Sequence, residues 1–198
     1  GDIDNDGFLD LFVCIRDFTT TNKLYKNNGD NTFTDVSVIS GIADLTDFSF
    51  CSILFDYDND NDLDIYVAND KYTTQNKLFQ NNGFGVFTDV SVGSGTDLWI
   101  DAMTTAIGDP NNDGYFDIYV SNTLLGNQFL NNNGNNTFTN TAPANGTDYL
   151  SIGFGALFLD ADNDLDLDLY VSGVNHTFNV HSSAFYENDG LNDYTVPT

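Results

Sequence analysis

One nine-residue acidic pattern occurs four times, and its spacing limits what this chain can fold into. The copies are Asp2-Ile-Asp4-Asn5-Asp6-Gly7-Phe8-Leu9-Asp10, Asp56-Tyr-Asp58-Asn59-Asp60-Asn61-Asp62-Leu63-Asp64, Asp109-Pro-Asn111-Asn112-Asp113-Gly114-Tyr115-Phe116-Asp117 and Asp160-Ala-Asp162-Asn163-Asp164-Leu165-Asp166-Leu167-Asp168. Successive copies start 54, 53 and 51 residues apart. A fixed period of about 50 residues is the mark of a repeat architecture.

Each copy places oxygen-bearing side chains at positions 1, 3, 5 and 9. Hard oxygen donors at alternate positions of a tight loop suit calcium, whereas magnesium demands a stricter octahedron and retains more water. The expected donors are the side chains of Asp2, Asp4, Asp6 and Asp10; Asp56, Asp58, Asp60 and Asp64; Asp109, Asn111, Asp113 and Asp117; and Asp160, Asp162, Asp164 and Asp168. The position-7 carbonyls of Phe8, Asp62, Tyr115 and Asp166 complete the set. The extra carboxylates of Asp62 and Asp166 fit solvated positions better than coordinating ones. An EF-hand needs a Glu at position 12 and flanking helices. Position 12 here is Val13, Val67, Val120 or Val171. Loop three carries the least charge. Loop four has Leu165 where Gly7 and Gly114 allow positive φ and Asn61 tolerates it, which predicts a different bend or strain there.

Charge and composition support loops over acidic helices. Of 30 acidic residues, 17 lie in the four loops, and Glu187 is the only Glu. Asp is a poor helix-interior residue. The net charge is −25 with five Lys and Arg, and four calcium ions would leave −17. That balance argues against nucleic acid or an anionic membrane as partner. No apolar run in the sequence is long enough for a spanning helix, so membrane insertion is not expected. The chain opens on an acidic loop without Met, as a processed or incomplete product would.

Apolar, β-prone runs follow every loop: Leu11-Phe-Val13, Ile65-Tyr-Val67, Ile118-Tyr-Val120 and Leu169-Tyr-Val171. A second block ends in Asn-Asn-Gly29, Asn-Asn-Gly83, Asn-Asn-Gly134 or Asn-Asp-Gly190, strong hairpin signals. A third run begins at Phe33, Phe87, Phe138 or Tyr194, and a fourth precedes loops two to four (48–55, 99–107 and 150–158). No segment shows a sustained 3.6-residue apolar period. The expectation is an all-β chain, a β-propeller of four-stranded blades with a calcium loop between strands one and two. The repeats run roughly 1–47, 48–98, 99–149 and 150–198 in a single propeller domain or segment, and the first lacks its inner strand. A β-sandwich would not need near-identical repeats.

The stretch Phe50–Asn69, with its Asp-Tyr-Asp-Asn-Asp core, and the block Asn76–Val90 resemble FG-GAP, or VCBS, repeats of integrin-like propellers. They look most like the bacterial secreted type related to cartilage acidic protein. The resemblance covers essentially the whole chain. It implies a calcium-bound propeller, secreted or at a cell surface. The expected role is non-enzymatic: adhesion or assembly, through self-association or contact with other extracellular proteins. A carbohydrate-binding module that takes glycans is the alternative, and a polysaccharide lyase or glycosidase domain is weaker. No Ser/His/Asp signature, zinc spacing or phosphate-cradling loop occurs. His176 and His181 read as bystanders in an exposed insertion, Trp99 as packing between repeats, and Cys14 with Cys51 as one disulfide or two small apolar residues.

Overall fold

A computed structural model of the chain describes residues 1–43, 46–123, 125–175, 180–190 and 193–195. It is all-β apart from two single-turn helices, and the strands form four antiparallel sheets. The chain divides into two compact units, Gly1–Trp99 and Ile100–Thr198.

The first unit opens with a three-stranded sheet, β1 (Leu11–Val13), β2 (Lys23–Asn27) and β3 (Phe33–Asp35), in sequential order. Its second sheet runs β4 (Ser49–Phe55), β5 (Asp64–Asn69), β6 (Lys77–Asn81) and β7 (Phe87–Asp89). A one-turn helix, α1 (Ser91–Ser94), follows. In the second unit, β8 (Thr105–Gly108), β9 (Asp117–Val120), β10 (Gln128–Asn132) and β11 (Phe138–Asn140) form one sheet. After α2 (Ala142–Asn145) come β12 (Ile152–Leu159), β13 (Asp168–Asn175), β14 (Val180–Asn188) and β15 (Tyr194–Thr195). In repeats two to four each acidic loop therefore joins the first strand of its sheet to the second, and in repeat one it leads into β1. Among the described residues no helix is long and apolar enough to cross a membrane.

The apolar runs behind the loops are the buried strands. Every residue of β5 and of β9 is buried, which explains why these strands read as unbroken apolar runs and not as alternation. In the first unit Ile65, Val67 and Phe79 of the second sheet pack with Ile3, Leu24 and Val36 from the first repeat. Burying each such side chain contributes about 2 kcal/mol. In the second unit Phe129 meets Tyr119 and Phe158 edge-on, with centroids 6.0 and 5.8 Å apart.

Several expectations need correction. The run 99–107 is strand only from Thr105, because Asp101 and Thr104 donate their N–H groups to the Asn122 and Ser121 side chains instead of to a ladder. Trp99 is 55% exposed, so it is not a packing residue. The two ends of the expected insertion, Gly173–Asn175 and Val180–Ser182, are paired strand, with Val174 opposite His181, because β13 and β14 extend beyond their apolar cores. His176 lies outside the described residues. The helices α1 and α2 were not expected. One turn is too short to show a period; Asp89 and Asn140 accept the first N–H groups, and left-handed Gly95 and Gly146 end the turns. Cys14 and Cys51 are half-buried thiols with no disulfide between them, and burial pushes the Cys14 thiol up to about 11.

Candidate metal centre

The four loops share one internal hydrogen-bond scheme. The position-1 carboxylate accepts two successive backbone N–H groups. Asp2 takes those of Asp6 and Gly7, Asp56 those of Asp60 and Asn61, Asp109 those of Asp113 and Gly114, and Asp160 those of Asp164 and Leu165, all between 2.8 and 3.2 Å. The position-5 carboxylates of Asp6, Asp60, Asp113 and Asp164 each accept the N–H two residues on, at 2.9 to 3.0 Å. These bonds hold each loop in a tight curl.

The curl requires left-handed backbone twice. Position 4 is Asn in every copy, with φ of 58° at Asn5, 61° at Asn59, 54° at Asn112 and 65° at Asn163. Asn visits this region at low cost because its side chain bonds locally. Position 6 is left-handed as well, and Leu165, at φ 79°, follows Gly7, Asn61 and Gly114. Loop four therefore does not bend differently from the others, and the strain falls on an 82%-exposed leucine.

Position 9 is the buried anchor. Where the loop's second residue has an N–H, the position-9 carboxylate joins that residue to the strand that runs into the Asn-Asn-Gly or Asn-Asp-Gly turn. Asp10 accepts the N–H groups of Ile3 and Asn27, Asp64 those of Tyr57 and Asn81, and Asp168 those of Ala161 and Asn188. Asp117 accepts only Asn132 in this way, because Pro110 has no N–H to give. Its buried Oδ2 has no hydrogen-bond partner among the described residues, and the same holds for Asp4 Oδ1.

The recurring Asn of each Asn-Asn-Gly or Asn-Asp-Gly turn completes this scaffold. Asn27, Asn81, Asn132 and Asn188 accept the turn glycine's N–H and donate Nδ2 to the loop carbonyls of Leu9, Leu63, Phe116 and Leu167. Asn81 also reaches Ile3 O, and Asn188 reaches Pro110 O, both at 2.8 Å, so loops are tied pairwise within each unit. The position-7 side chains lie over the turn glycines. A Cβ on Gly83 would sit 2.5 Å from Asp62, and one on Gly29 2.7 Å from Phe8.

The expected donors are thus placed unevenly. One oxygen from each of Asp2, Asp4 and Asp6 falls within 4.8 Å of the others, and so do those of Asp160, Asp162 and Asp164. In loop two the close trio is Asp56, Asp58 and Asp64. In loop three Asn111 takes position 3, donating to Asp113 Oδ2 at 3.0 Å. The Asp62 and Asp166 carboxylates accept Asn5 and Asn112 from the neighbouring loop.

The electrostatics are unfavourable for bare carboxylates. Burial, opposed only in part by backbone hydrogen bonds, pushes Asp64 and Asp117 up to about 7. Burial and the neighbouring Asp60 raise Asp58, and burial and Asp164 raise Asp162. Loop one differs: the hydrogen bonds that Lys26 donates to Asp4 and Asp6 hold its ammonium charged above the ordinary range, and Lys26 in turn lowers Asp6. An all-oxygen donor set of converging carboxylates, with an orphaned buried oxygen at Asp117, fits a hard divalent cation.

The model of the FG-GAP-like repeat family matches residues 2–67, 56–120 and 109–171. The chain belongs to the FG-GAP-like repeat family. Each matched segment begins on the first Asp of a loop and ends on the Val that closes the apolar run behind the next loop. The FG-GAP-like unit thus runs from loop to loop, the span held by the anchors described above. No curated protein matches the chain.

Asn27, Asn81, Asn132 and Asn188 were read from sequence as turn formers only, and Lys26 was given no role. The signal for the Asn was present: it recurs two residues before the turn glycine of every repeat.

Proposed function

We propose that this FG-GAP-like chain is a calcium-stabilised extracellular repeat domain with a non-enzymatic role in adhesion or assembly. Asp2, Asp4, Asp6 and Asp10, and their equivalents in the other loops, would hold one ion per repeat. The ion supplies the positive charge that lets clustered, partly buried carboxylates stay ionised. The observation that carries this reading is the fourfold hydrogen-bond scheme, which turns carboxylates inward to within 4.8 Å of one another in three loops. Repulsion among bare carboxylates at that spacing is costly. Isothermal titration with calcium should find saturable uptake approaching four ions per chain. No uptake by folded, metal-stripped protein would reject it.

We infer that the sheets act as propeller blades. Three have four antiparallel strands in sequential order, and the first has three. The VCBS-type likeness to secreted proteins related to cartilage acidic protein supports the extracellular assignment. Among the described residues no strand pairs with the outer edge of β1, a natural acceptor for a further strand, so self-association or contact with extracellular proteins is the expected mode of action. Sedimentation with and without calcium tests this, and a monodisperse monomer under both conditions would count against it.

One observation favours a carbohydrate-binding reading. At the strand ends away from loops one and two, the Arg16 guanidinium lies over Phe48 at 4.7 Å and Phe50 at 5.3 Å, beside half-exposed Phe18. Aromatic rings next to a cation can stack on sugars. Selective binding on a glycan array that is lost in Phe50→Ala would favour it.

A further inference from the structure

Lys26, in β2, points its ammonium into loop one and donates to both Asp4 and Asp6, the latter at 2.7 Å. Strand register identifies its counterparts. Lys26 pairs with Thr34, Gln80 with Thr88, Asn131 with Thr139 and Glu187 with Thr195. Gln80 makes the same reach into loop two, donating Nε2 to Asp58 at 2.7 Å. This strand position therefore addresses the position-3 carboxylate of its own loop in repeats one and two, with a cation in the first and an amide in the second. In repeat three Asn131 donates to Asn132 O, and in repeat four the position holds Glu187.

We propose that this strand position grades the calcium affinity of the loops, and that Lys26 is a built-in cation that weakens loop one. The inference rests on the calcium reading above. Its physical basis is direct. A divalent ion entering loop one must displace the ammonium from two ligands or tolerate it about 5 Å away. Even at the screening of bulk water that repulsion lowers affinity about tenfold. In the absence of metal the same ammonium neutralises the loop, so loop one stays formed when calcium is scarce. Gln80 orients Asp58 without opposing the ion.

The test compares calcium binding by wild type, Lys26→Gln and Gln80→Lys, using calorimetric titration with ion counting by native mass spectrometry. Lys26→Gln should tighten one site about tenfold and leave the others unchanged. Gln80→Lys should weaken a different site by a similar factor, and it decides the matter even if Lys26→Gln fails to fold. Calcium uptake with unaltered affinities in the variants would overturn this inference alone. No uptake in any of the three proteins would overturn the calcium reading and this inference with it.

Discussion

Pro110 stands where the Asp117 carboxylate would otherwise receive a backbone N–H. In the other loops that N–H comes from Ile3, Tyr57 or Ala161, at 2.9 to 3.0 Å. Asp117 Oδ2 is buried without that bond. Pro110→Ala should restore it and raise the stability of the metal-free protein by about 1 kcal/mol, the bond outweighing the loss of proline's restraint on the unfolded chain. Urea unfolding in EGTA measures this. A loss of stability would show that the missing donor is not a liability.

Asn81 links its turn to two loops, accepting from Gly83 and Gly85 and donating to Ile3 and Leu63. Asn81→Ala would strand several buried groups at once and should cost about 3 kcal/mol. Asn27→Ala, at a more exposed turn tied among the described residues to its own loop alone, should cost about 1 kcal/mol. Equal losses in denaturant titrations would contradict the pairwise tie.

Leu165 carries positive φ that Gly or Asn supplies in the other loops. Leu165→Asn should stabilise by about 1 kcal/mol, since left-handed backbone costs a branched side chain roughly that much. Thermal melting in calcium tests it, and an unchanged or lower melting temperature would place the strain elsewhere.

The four strands, their order and the loops were legible in the sequence because each repeat confirmed the others: a run such as Ile65-Tyr66-Val67 is ambiguous once and clear on its fourth recurrence. Single-turn helices were not legible, because α1 rests on an Asp89 side-chain bond and not on a periodic apolar face. The site was readable as a donor list but not as a geometry. Position 9 looked equivalent to positions 1, 3 and 5, yet Asp10, Asp64 and Asp168 each spend both oxygens on backbone N–H groups from distant segments. Lys26 was hidden for a similar reason, since it reaches loop one across 20 residues of chain.

Acid should help the metal-free protein. Asp64 and Asp117 titrate near 7 in the folded state, against about 3.9 unfolded. The folded state then binds more protons between those values, so stability is fullest near pH 4 and falls as pH rises to about 7. Melting in EGTA across that range should show the decline, and saturating calcium should abolish it. A rise in metal-free stability from pH 4 to 7 would contradict the assignment of burial as the dominant cause.

The central claim is that calcium is part of the fold, and thermal unfolding before and after metal removal tests it most directly. Binding only to the folded state stabilises by mass action, by about 4 kcal/mol per site at a thousandfold excess over Kd. The melting temperature should fall by many degrees in EGTA and return with calcium, but less fully with magnesium. An unchanged melting temperature after removal verified by elemental analysis would contradict the account.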